Sequence, residues 1–90
     1  MSYSFSVVAS SKDEAKQKAA EEFAKIVETQ PVHAADRDAV LAVTSAYVDV
    51  LADPADGQKV TLYCCGSLSW REEGHFTTAG INATATLSPA

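Results

Sequence analysis

The chain is expected to fold as a single small α+β domain in the order βααββ, a three-stranded sheet with two helices packed on one face. Three observations predict it. In the last third, Val60, Leu62, Cys64, Gly66, Leu68 and Trp70 alternate with Thr61, Tyr63, Cys65, Ser67, Ser69 and Arg71, and a second run of Ala79, Ile81, Ala83, Ala85 and Leu87 answers them. Alternation of that length is a β-hairpin with one apolar face, which has to lie on something earlier in the chain. The opening residues alternate in the same way, and the middle holds two segments of helical period separated by Pro31.

The first strand, 2–9, sets Tyr3, Phe5 and Val7 between serines and ends at Ser10-Ser11. Ser11-Lys12-Asp13-Glu14 has the form of a capping box, so a helix follows over 12–29. Ala15, Ala19, Phe23, Ile26 and Val27 share its apolar face, and Glu21 and Lys25 stand at the spacing of a helical ion pair. Pro31 closes it, because the residue before a proline is pushed out of the helical region. A second helix is predicted over 35–51, with Asp36 near its positive N-terminal end. Val40, Val43, Tyr47, Val50 and Leu51 cover one side of it, and Leu41 and Val48 lie on the flank. That arc is wider than a three-stranded sheet covers, so the first helix or a second subunit takes the surplus.

Asp53-Pro54 and Asp56-Gly57 are turn dipeptides that lead into hairpin strands at 59–71 and 75–87. A two-residue Glu73-Gly74 turn pairs Leu68 with Ala79, Cys64 with Ala83 and Leu62 with Ala85, which puts both apolar sets on one face. A three-residue loop sets Thr78 against Leu68, and the hydrophobic pattern favours the first register. Gly66 and Gly80 mark a bend or bulge. Whether the first strand lies beside the second or the third stays open.

Composition narrows the function. At 47% apolar residues the chain is globular, but much of that is alanine, and the large-residue core is thin. The net charge of −5 is concentrated in 36–56, where five aspartates face Arg37 alone, and this disfavours binding to nucleic acid phosphates or anionic lipid. No leader-like start and no membrane-length apolar run is present, so a cytoplasmic protein is expected, of a bacterial cell or a virus-infected host.

Few constellations suggest chemistry. Cys64 and Cys65 are neighbours on a strand and point to opposite faces, so they neither chelate a metal together nor form a relaxed disulfide. His33 and His75 lack partners at metal-ligand spacing, no motif frames a nucleophilic serine, and the glycines form no phosphate loop. No catalytic, cofactor or metal residue is therefore assigned. The expectation is a non-enzymatic interaction protein, an accessory, inhibitor or assembly factor of bacterial or bacteriophage type, which contacts another protein and also itself. Leu41, Val48, Tyr63, Cys65, Arg71 and Asn82 are its candidate surface residues. Self-association is expected through the second helix, the open hairpin face or the sheet edges. The alternative is a small-ligand binder with a pocket between the hairpin and the second helix, lined by Tyr47, Trp70 and Phe76.

Overall fold

A computed structural model describes residues 1–89. Its elements are β1 (Ser2–Ala9), α1 (Lys12–Thr29), α2 (Ala34–Asp49), β2 (Lys59–Trp70) and β3 (Phe76–Ser88). The strands form one antiparallel sheet in the order β1-β2-β3, which answers the question of strand order. Tyr3, Phe5, Val7 and Ala9 of β1 and Val60, Leu62, Cys64 and Leu68 of β2 point inward and are buried. Their pleat supplies the floor on which the helices lie, and the molecule is elongated, 48 × 20 × 18 Å.

The start of α1 follows from its sequence. The Glu14 N–H donates to Ser11 Oγ at 3.1 Å, and Glu14 Oε1 accepts from the Ser10 N–H at 3.1 Å. Ala15, Ala19 and Phe23 form the buried stripe. The Phe23 ring lies 5.4 Å from that of Tyr3 and 6.1 Å from that of Phe5, tying α1 to β1. The cation of Lys25 meets Glu22 at 2.7 Å instead of the expected Glu21, a choice between adjacent positions on an exposed face.

The second helix differs more from expectation. It starts one residue earlier and ends two earlier, and its N-cap is His33, whose Nδ1 accepts from the Ala35 N–H at 3.3 Å. Asp36 instead turns its Oδ2 to the Thr78 N–H at 3.1 Å, fastening α2 to β3. The buried stripe is Val40, Thr44 and Val48. Thr44 is tolerated there because its hydroxyl donates to the Leu41 carbonyl at 2.9 Å. Tyr47 and Val50, expected in the core, are 49% and 82% exposed, whereas Val48, expected on the flank, is fully buried. The Lys12 ammonium closes the other end, donating to the carbonyls of Asp49 at 3.3 Å and Leu51 at 2.9 Å, where a helix leaves its carbonyls unpaired.

The hairpin follows the expected register over half its length and departs from it near the tip. Leu62 pairs with Ala85 and Cys64 with Ala83, as expected, but Leu68 pairs with Thr78 and Trp70 with Phe76. Gly80 and Ile81 together oppose Gly66, and Gly80 adopts the left-handed conformation (φ +61°) that lets β3 absorb the extra residue as a bulge. Beyond the bulge the register has slipped by one. The hairpin closes through a three-residue Glu72-Glu73-Gly74 loop, with the Arg71 N–H donating to the His75 carbonyl at 2.8 Å and Gly74 at φ +85°. The slip turns Thr78 inward and Ala79 outward. Thr78 is accommodated because its hydroxyl donates to Tyr3 Oη at 3.2 Å while Asp36 holds its N–H.

Candidate functional site

Both helices cover one face of the sheet, so the other face is where the strands display side chains to the surroundings. Strand pairing arranges that face in cross-strand rows. Ser4, Cys65 and Asn82 form one row, Ser6, Tyr63 and Thr84 the next, and Val8, Thr61 and Thr86 a third. Three of the six sequence-predicted surface residues therefore meet in two adjacent rows at the centre. Tyr63 is 46% exposed and Val8 54%. The neighbouring Cys65 thiol holds the Tyr63 hydroxyl above the usual phenol range, and Ser4 acts on it in the opposite direction. Tyr63, Cys65 and Ser4 thus form one polar cluster.

Next to it the face is hollowed. A depression of about 450 Å³ lies between Ser2, Ser4, Tyr63, Cys65 and Ser67, over the backbone of Gly66 and the bulge at Gly80. Gly66 has no alternative at this point. A Cβ added there would stand 2.5 Å from Tyr3 Oη and 2.8 Å from the adjoining ring carbon. Behind the hollow, Cys64 is fully buried on the helix side, and burial pushes its thiol up to about 11. The two cysteines lie on opposite faces, as the alternation predicts, and both are free.

The remaining predicted residues lie elsewhere. Arg71 is at the hairpin tip, ~26 Å along the strand from Tyr63 at roughly 3.3 Å per residue, where its Nε–H reaches Thr77 Oγ1 at 3.4 Å. Val48 is sealed in the core and offers nothing to a partner. Leu41 lines a cleft of about 440 Å³ between the helices, together with Ala20, Phe23, Ala24 and Val27 and the charged rim of Glu28, Arg37 and Asp38.

The expected pocket of Tyr47, Trp70 and Phe76 is not assembled. Trp70 and Phe76 do meet edge to face at 5.1 Å. Tyr47, however, lies eleven residues along α2 from Asp36, the residue that contacts β3 near Phe76. At roughly 1.5 Å per residue that is a displacement of ~16 Å.

One cluster was invisible in the sequence. His33 and His75, far apart in the chain, bring their rings to 6.1 Å, edge to face, around a hollow shared with Arg71, Glu73 and Thr77. They meet because Pro31–His33 pairs with the outer edge of β3. The Phe76 N–H donates to the Pro31 carbonyl at 2.7 Å and the His33 N–H to the Phe76 carbonyl at 2.9 Å. Among the described residues, no three His, Cys, Asp or Glu side chains are grouped to hold a metal ion, and no helix is long and apolar enough to cross a membrane. Comparison with protein-family models, with curated proteins and with solved structures finds no match.

Proposed function

We propose that this protein is a non-enzymatic interaction domain, an accessory, inhibitor or assembly factor that presents the open face of its sheet to a protein partner. The observation that carries this reading is the central cluster of Tyr63, Cys65 and Asn82, held on a rigid three-stranded floor with a hollow beside it and Val8 exposed nearby. Tyrosine gives an interface large contact area and a hydroxyl at small entropic cost. The surrounding Ser and Thr rows supply short hydrogen-bonding groups that need little ordering. The net charge of −5, with Lys59 and Arg71 the sole Lys or Arg of the hairpin, favours a protein over a nucleic acid. A bacterial or bacteriophage cytoplasm belongs to the same reading, supported by two cysteines that remain free thiols.

The test is affinity capture from the native host with matched variants. Tyr63→Asp and Asn82→Arg should each lose the partner that the wild-type protein retains, and Val50→Asp, on the helix side, should keep it. Retention by all three would remove the open face from the account. A second reading, a small-ligand binder, is supported by the apolar cleft between α1 and α2, whose size suits a small molecule. A thermal-shift screen separates the two readings, since a ligand at about 100 times its dissociation constant adds about 2.7 kcal/mol of stability. A Leu41→Trp substitution should abolish such a shift without touching the sheet.

A further inference from the structure

The hollow at the hairpin tip, about 430 Å³ between His33, Arg71, Glu73, His75 and Thr77, is separate from the central cluster of the open face. Its donors come from distant segments that the pairing of Pro31–His33 with β3 brings together. The tautomer of His33 is fixed. Its Nδ1 accepts from the Ala35 N–H at 3.3 Å, so the neutral ring carries its proton on Nε2 and brings a donor to the hollow. The same bond disqualifies Nε2 as a metal ligand, which needs a free lone pair. Arg71 is anchored at its root: Nε–H donates to Thr77 Oγ1 at 3.4 Å, and that hydroxyl donates on to the Ser69 carbonyl at 3.5 Å. Among the described residues, the two terminal amino groups of the guanidinium have no hydrogen-bond partner and no carboxylate within 4.0 Å, although Glu72 and Glu73 follow in sequence. Lys12, Lys16, Lys18 and Lys25, by contrast, each pair with a carboxylate. Asp36 of α2 already gives its carboxylate to the Thr78 N–H.

We infer that this hollow binds a small oxyanion of the phosphate class. Its lining is a donor set: a guanidinium with both terminal amino groups free, and two imidazoles that each present an N–H and gain a positive charge on protonation. A tetrahedral anion offers an oxygen to each of these three side chains, whereas a carboxylate has only two. The net charge of −5 opposes a polyanion, so the ligand is a single phosphate group and not a nucleic acid backbone. Glu73 is the one acidic side chain that borders the space, and it opposes the anion. That opposition makes a prediction of the opposite sign to the rest. The site uses none of Tyr63, Cys65 and Asn82, so it and the open-face contact can each fail without the other.

Titration of the full chain with inorganic phosphate tests it, followed by NMR near pH ~6 with chloride holding the ionic strength constant. The ring signals of His33 and His75 and the Nε–H signal of Arg71 should move together along one saturating curve. Arg71→Gln should weaken binding about tenfold or more, the size of a lost charge-assisted contact. His75→Asn and His33→Asn should each weaken it about threefold, and the second keeps an N-cap acceptor, so α2 stays intact. Glu73→Gln should tighten binding about twofold or more, because a like charge is removed. A gain of that kind cannot come from a misfolded chain. Shifts that rise without saturating or spread over the Lys-bearing face of α1, binding unchanged in Arg71→Gln, or weaker binding in Glu73→Gln would overturn the inference. So would a short oligothymidylate that binds more tightly than inorganic phosphate at the same concentration of phosphate groups.

Discussion

Gly66→Ala is the smallest substitution with a large consequence expected from this structure. A Cβ at residue 66 meets Tyr3 Oη at 2.5 Å, Cζ at 2.8 Å and Cε1 at 2.9 Å, all well inside van der Waals contact. The ring cannot swing aside freely. It packs on Phe23 at 5.4 Å, its hydroxyl accepts from Thr78 at 3.2 Å, and Tyr3 is 6% exposed. Moving it gives up much of an aromatic contact worth roughly 0.5–1.5 kcal/mol and a hydrogen bond of similar net worth. The total falls within the ~1–3 kcal/mol typical of overpacking a core. Urea denaturation followed by circular dichroism measures it directly. The mechanism is specific, so it makes a second demand: in a Tyr3→Leu background the same glycine substitution should cost less by about 1 kcal/mol or more, a coupling of the size seen for residues in contact. Equal costs in the two backgrounds, or a Gly66→Ala protein as stable as the wild type, would refute the argument.

Other perturbations test separate contacts. Leu62→Ala and Phe23→Ala should each destabilise by ~2–5 kcal/mol, while Thr84→Ala on the open face should cost well under ~1 kcal/mol, all read from denaturant midpoints. Val48→Asp should unfold the chain rather than alter its assembly, because it buries an unpaired carboxylate at a fully buried position. His33→Ala should cost ~0.5–2 kcal/mol and His33→Asn much less, since asparagine supplies the N-cap acceptor that alanine lacks. Cys65 should react with a thiol reagent in the native protein and Cys64 only on unfolding. Burial raises the Cys64 thiol from the usual 9.0 to about 11, so the folded state holds that proton longer than the unfolded state does. The associated stability is present below pH 9 and is lost as pH rises towards 11. Alkaline titration of stability should show this fall, and Cys64→Ala should flatten it.

Most of the fold was legible because its signals are periodic. Serine alternation marks β1, the capping box marks the start of α1, and the Cys64–Ala83 register follows from apolar faces that have to coincide. What escaped was set by single contacts between distant residues. The alternation of the hairpin treats Ala79 as an inward residue, yet a bulge at one glycine and two hydrogen bonds to Thr78 reverse the tip. In α2, hydropathy passes over Thr44 because its hydroxyl is polar, although the hydroxyl is satisfied within the helix. The true stripe of Val40, Thr44 and Val48 is thereby lost in favour of Tyr47 and Val50. In the candidate site, alternation is enough to bring Tyr63, Cys65 and Asn82 to one surface. The hollow beside them lies at the bulge around Gly80, which alternation does not show, and the His33–His75 pair depends on a segment pairing with β3 across the fold.

The central claim, that the open sheet face is the contact surface, is tested most directly by a photo-crosslinker attached at Cys65. The buried Cys64 does not compete for the reagent, so the label marks one row of one face. In the native host's lysate the Cys65 adduct should capture a defined protein in stoichiometric yield. The same label on the helix side, in a Cys65→Ser/Val50→Cys protein, should capture little of it. Equal capture from both positions, or capture only from the helix side, would contradict the account.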